Sequence, residues 1–375
     1  MEEPSRKRAR DDADAEVATG GSGSNGSDAP GSAPLIPTAI LEVMADSDFW
    51  FEDGNIILVS QGITFRVYKG LLAEHSAVFK SMFQIAQGKQ AAADQAHGCP
   101  VVTLDDSPHD LRELFRLIFP LNSSLKLDKA GYIDIDMLSA IVRLDHKYEL
   151  PALCAQAIGY LTTYYTSDFD AWTSGQNAIQ WKPKPVHAIA AISLARLTNT
   201  SSILPTAFYI CANLDPSELL RGYTRRDGTT ERLSDSDLET CLQFRDRLIQ
   251  ANVHSGLVLF KPSIRCSPGE FTPGGPYCSK FLRGVMERSS SHGLPSIRHP
   301  LASPMVLESW IVNPEACIAD ADVMRELGLG RPATAWCKGC RSYFQEHDLA
   351  VRRAAWRSLP EQIGVVVKNW ETANA

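Results

Sequence analysis

The sequence predicts an α+β domain over residues 46–163, a short sheet with helices packed on it, followed by a mostly helical C-terminal region that carries a cysteine-containing module. Three observations predict it. A short apolar run at residues 56–59 is followed across a turn by Ile63, Phe65 and Val67 alternating with polar residues; the spacing then changes to the period of about 3.6 that marks an amphipathic helix; and past residue 255 the chain becomes rich in Gly, Pro and Cys.

Residues 1–45 place Gly20, Gly21, Gly23, Gly26 and Gly31 among Ser, Asp, Ala and Pro, with no apolar periodicity to offset the entropy of ordering, and read as a disordered tail. Within it, Arg6-Lys7-Arg8-Ala9-Arg10 is either a nuclear-import signal or a solvated charged stretch, which leaves both cytoplasm and nucleus open for an intracellular protein. No Gly-Lys-Ser/Thr closes the glycine run, so it is not a phosphate loop.

The predicted domain opens on the apolar run Asn55-Ile56-Ile57-Leu58-Val59, a turn at Gln61-Gly62, and the alternating strand of Ile63, Phe65 and Val67. Leu72, Ser76, Phe79 and Phe83 then share one helix face. Residues 84–100 read as a loop or a frayed helix before a third strand, Val101-Val102-Thr103-Leu104. Ser107-Pro108 caps a helix bearing Leu111, Leu114, Phe115 and Ile118; Met137, Ile141, Leu144 and Tyr148 line the next; Pro151 starts another with Cys154, Ala157, Ile158 and Leu161. Large apolar residues at these spacings are core, not a site.

The residues from Asn55 to Phe83 resemble the opening of a BTB/POZ domain, with Gly62 at the turn, Phe65, Tyr68-Lys69, Leu72-Ala73, Ser76, Phe79 and Met82-Phe83 in register. Val101 to Phe119 and Leu138 to Cys154, including Tyr148-Glu149-Leu150-Pro151-Ala152-Leu153, are similar to the family's next strand and closing helices. The resemblance implies a non-enzymatic adaptor or scaffold that binds protein partners. It also implies a partner interface at Asn55 and Lys69, where many family members bury an aspartate and a basic residue between two copies. Asn55 removes the carboxylate, so the homodimer implied here is weak. Members that recruit cullin-type ubiquitin ligase scaffolds often carry a hydrophobic-x-Glu motif before the third strand; no Glu lies between Gln84 and Pro100, so the sequence lends that recruitment no support.

Residues 164–254 read as a helical extension: Val186, Ile189, Ala190, Ser193, Leu194 and Leu197 on one face, Leu204, Phe208 and Cys211 after a break at Asn199, and a capping box at Ser236-Asp237-Leu238-Glu239 before Leu242, Leu248 and Ile249. Thr224-Arg225-Arg226-Asp227-Gly228 reads as a charged turn.

Residues 255–375 form the cysteine- and tryptophan-containing module. Cys337 and Cys340, as C-x2-C, bring two thiolates to one tetrahedral centre in a zinc knuckle, and otherwise are plain thiols or a redox pair. A closed structural zinc site would take Cys266 and Cys278 as its other pair, or His347 as an alternate fourth ligand; Cys266 and Cys278 are otherwise packed thiols, as is Cys317. The order Cys…Cys…C-x2-C…His, followed by Arg352-Arg353, Trp356, Leu359-Pro360 and Trp370, resembles the tail of BTB proteins of mushroom-forming (basidiomycete) fungi. The cluster then implies a second reading, a nuclear transcription or chromatin regulator with a zinc-stabilised module.

A net charge of −7 gives no electrostatic reason to expect nucleic-acid binding, and no apolar stretch suffices for a membrane span. Zincin, nucleophile-elbow, dinucleotide and Walker patterns are all missing, and His75, His146 and His187 read as surface or half-buried helix residues, so the chain is not read as an enzyme and no catalytic residue is assigned.

Overall fold

The structure, a computed structural model, describes residues 44–89, 95–119, 133–175, 183–261, 266, 277–289, 302–310 and 337–371. Residues 1–43 of the tail, with its basic cluster, and Cys317 lie outside the described residues, and β1 takes in Ala45 at the end of the stretch read as tail.

Strands β2 (Ile56–Ser60) and β3 (Ile63–Val67) pair antiparallel across the predicted turn, where Gln61 and Gly62 both take positive φ, the backbone a two-residue hairpin requires. They join β1 (Ala45–Trp50), β4 (Gln95–Ala96) and β5 (Cys99–Leu104) in a sheet of order β1-β3-β2-β5-β4, with β1 parallel to β3 and β5 parallel to β2. Strand β1 escapes the periodicity argument because its inward residue is charged: buried Asp46 accepts the N–H groups of Asp48 and Phe49 and pairs with Arg112 Nε at 2.5 Å. Short β4 falls in the predicted loop.

The stripe from Leu72 to Phe83 is two helices, α1 (Lys69–His75) and α2 (Ala77–Lys89). Ser76 divides them. Its backbone is extended, and its buried hydroxyl accepts from Phe79 N and donates to the Tyr148 carbonyl at 2.5 Å, so a polar tertiary bond wins over helix continuation. The helices α3 (Pro108–Ile118), α4 (Ile135–Tyr148) and α5 (Pro151–Tyr164) follow as expected. Phe65, Phe79, Phe115 and Tyr148 are fully buried among them, with Phe79 and Tyr148 stacked at 4.1 Å.

The chain continues through α6 (Phe169–Ser174), α7 (Ala188–Leu197), α8 (Leu204–Ala212), α9 (Pro216–Arg221), the two-stranded β6 (Tyr223–Thr224) and β7 (Thr230–Glu231), α10 (Asp235–Leu259), α11 (Tyr277–Ser289) and α12 (Lys338–Gln362). Helix α10 is capped two residues earlier than expected, by Ser234 Oγ on Asp237 N, and the Asp237 carboxylate pairs with Arg196 at 2.8 Å. One hydrophobic core runs from Phe49 through α4, α7, α8 and α10 to Trp356, Leu359 and Trp370, crossing the predicted boundary at residue 163.

Pro360 lies inside α12 and has no N–H to give the Trp356 carbonyl. The indole N–H of Trp370 supplies it at 3.0 Å, while the two indole rings stack at 4.7 Å. The C-terminal segment is thereby closed onto α12, helped by Arg353 and Arg357 on Glu371.

Candidate metal centre and interaction surfaces

A C-x2-C pair at a helix start places both sulfurs near the first-turn N–H groups that have no partner within the helix. Cys337 is the N-cap of α12, its Sγ accepting from Cys340 N at 3.4 Å. Cys337 N in turn donates to Sγ of Cys278, on the first turn of α11, at 3.2 Å. Cys266 closes the group with its sulfur 4.0 Å from that of Cys337. All four sulfurs lie within 4.8 Å of one another, and the cysteines are free thiols.

Four sulfurs on a tetrahedral zinc with bonds of about 2.3 Å sit about 3.8 Å apart, so the observed spacing needs a contraction of a few tenths of an ångström to 1 Å to bind one ion. Burial pushes the Cys278 thiol up to about 11, with the neighbouring Cys337 and Cys266 sulfurs adding to the effect; a cation would have to displace protons to enter. His347 is not brought into the group. It lies seven residues beyond Cys340 on the same helix, its ring stacked on Tyr343 at 3.7 Å and its Nδ1 2.8 Å from the Tyr343 carbonyl.

The centre stands on a packed base. Phe260 meets Trp310 and Phe344 at 5.4 and 5.8 Å, Phe281 and Leu282 of α11 are buried, and buried Asp348 accepts from Ser309 Oγ, Trp310 N and Arg352 Nε. The Gly- and Pro-rich texture past residue 255 therefore conceals an apolar cluster.

In the α+β unit, Asn55 is exposed, and its side-chain oxygen accepts the Lys69 N–H at 2.8 Å, capping the start of α1 from the residue before β2. Lys69 is only partly buried, so the missing carboxylate strands no buried charge. Tyr68 donates to Asp53 at 2.5 Å and stacks on Phe51. Ala77, Val78, Ser81, Met82 and the strongly exposed Ile85 line an open groove of about 460 Å³ with Glu149 at its rim.

The segment read as a charged turn holds the residue that sequence reasoning missed. Arg225, 7% exposed, inserts against α3 and α4: it pairs with Asp110 and lies 3.6 Å from Glu231, 3.9 Å from Asp227 and 4.0 Å from Asp136. Burial works against its charge, but the hydrogen bond and attraction of Asp110, then Asp227 and Glu231, outweigh it and raise its pKa. Asp136 also accepts from Tyr223 Oη at 2.6 Å and Arg226 N at 3.0 Å, while Arg143 pairs with Glu231 and Arg226 with Asp134. Burial, with Lys184 adding to it, lowers His187 to about 4, and its ring packs against Tyr223. Gly222 admits the close approach, since a Cβ there would sit 2.3 Å from the Glu231 carbonyl oxygen.

His146 Nε2 meets the Leu197 carbonyl and His187 Nδ1 accepts from Lys184 N, so both are tied to backbone. Among the described residues no helix is long and apolar enough to cross a membrane.

Comparison with known families matches residues 52–164 to the BTB/POZ domain. No curated protein and no solved structure matches the chain.

Proposed function

We propose that the chain is a non-enzymatic adaptor or scaffold whose BTB/POZ domain docks a protein partner, while the C-terminal half, closed by one structural zinc on Cys266, Cys278, Cys337 and Cys340, presents a second surface. The observation that carries the adaptor reading is the BTB/POZ match over a sheet and helices of that architecture, since BTB domains mediate protein–protein interaction and dimerisation. Residues 46–163 are the docking unit in this reading, 164–254 a brace and 255–375 the zinc module. Four sulfurs and a closed shell suit structure rather than catalysis, because no coordination position is left for water.

Two features favour a different protein, rather than an obligate second copy, as the partner. Asn55 is used as a helix cap, and β1 is held on its own chain by the Asp46–Arg112 pair. The groove on α2, apolar with an acidic rim, is the docking face in this proposal. Quantitative affinity capture with the full chain beside Ile85→Glu tests it. Ile85 is solvent-facing, so the fold should tolerate the change, and a direct partner is expected to be depleted roughly tenfold or more. The same capture with two differently tagged copies is expected to recover little self-association. Unchanged partner sets, or strong self-capture, would count against this reading.

A further inference from the structure

We propose that the cysteine centre is also an oxidant-responsive site, in which Cys266 is the sulfur that a hydroperoxide modifies first and Cys337 the sulfur that resolves it, expelling the bound zinc. This rests on the zinc reading above and adds a regulation to it.

Accessibility selects Cys266. Cys278, Cys337 and Cys340 are 5, 4 and 2% exposed, whereas Cys266 is only partly buried, so it is the sulfur a small oxidant reaches. Geometry offers Cys337 as the second sulfur: its Sγ lies 4.0 Å from Cys266 Sγ, close enough for bond formation with a small rotation of either side chain.

The chemistry balances with a hydroperoxide as the only co-reactant. The Cys266 thiolate attacks the peroxide oxygen; an S–O bond forms, the O–O bond breaks, and hydroxide or alkoxide leaves. The Cys337 thiolate then attacks the sulfenic sulfur; an S–S bond forms, the S–O bond breaks, and hydroxide leaves. The two sulfurs together give up two electrons and the peroxide takes both. Zinc is left with two thiolates and dissociates.

The consequence is local. Cys337 caps α12 and binds α11 to it, so its loss from the centre loosens the start of α12 and its junction with α11. The other end of α12, where Trp356 and Leu359 sit in the main core and Arg353 and Arg357 hold Glu371, stays fixed, as does the BTB/POZ domain. An oxidant would thus change the second surface and spare the first.

Full-length chain purified without oxygen and treated with hydrogen peroxide tests this, with zinc release followed by a chromogenic chelator and disulfides mapped by differential alkylation and mass spectrometry. The expected result is release of the zinc with a first disulfide between Cys266 and Cys337. Cys266→His keeps a metal donor but no oxidisable sulfur there, and is expected to slow release by roughly tenfold or more. A first disulfide joining any other pair, or equally fast release from Cys266→His, overturns the proposal. If that variant fails to hold zinc, the wild-type disulfide map decides alone. A wild-type chain that carries no zinc overturns the zinc reading and this one together; a zinc-loaded chain that oxidises elsewhere overturns only this one.

Discussion

Arg225→Ala is expected to destabilise the protein by about 3–5 kcal/mol, the cost of leaving a buried partner charge uncompensated. Asp110 and Asp136, 6% and 1% exposed, stay in place when the guanidinium goes; Asp110 loses its ion pair, and among the described residues Glu231 is left with Arg143. The loss exceeds that of a surface ion pair because water cannot refill the site without opening the hairpin from α3 and α4. Thermal and urea unfolding of the full chain check the size. Arg225→Met with Asp110→Leu is expected to recover most of the stability, since a well-packed apolar pair can replace a buried ion pair. A loss below about 1 kcal/mol in Arg225→Ala would show that the hairpin is not held by this charge. The brace between the BTB/POZ domain and the C-terminal half would then have to come from the shared apolar core alone.

Cys337→Ser with Cys340→Ser is the second large effect. Half the donor set is removed, so zinc is expected to fall below about half an equivalent, and the binding energy that folds the module goes with it. Metal-dependent folding is worth about 10–16 kcal/mol in zinc-finger peptides. Here the effect is smaller, because Phe260, Phe281, Leu282, Trp310 and Phe344 pack whether or not the ion is present. Hydrogen exchange is expected to rise steeply in α11 and the first turns of α12 while α4, α8 and α10 keep their protection. Equal protection in the double variant and the wild type would mean that the thiols are simply packed.

The BTB/POZ domain is legible in the sequence because its signals are local. The run Ile56-Ile57-Leu58-Val59 makes a strand buried on both faces, Phe65 and Val67 alternate on the next, and Leu111, Leu114, Phe115 and Ile118 keep helical spacing. The break at Ser76 is not legible, since the bond that makes it comes from Tyr148, far along the chain. Asp46 disguises β1 for the same reason: its partner is Arg112. Arg225 reads as a turn residue because the carboxylate that buries it, Asp110, is 115 positions away, and no periodicity encodes such a contact. The cysteine centre is half legible. Cys337 and Cys340 announce themselves by spacing, but the nearness of Cys266 and Cys278 depends on how α11 meets α12. His347 matches the order of ligands yet fails on helix geometry, because seven residues along a helix is about 10 Å.

Zinc K-edge X-ray absorption on the full-length chain tests the four-cysteine centre most directly, since it reads the metal, the donor atoms and their distances at once. The expected result is one zinc per chain with a shell of four sulfurs at about 2.3 Å. A shell containing nitrogen or oxygen, or protein from reducing, zinc-replete preparations that carries no zinc, would contradict it.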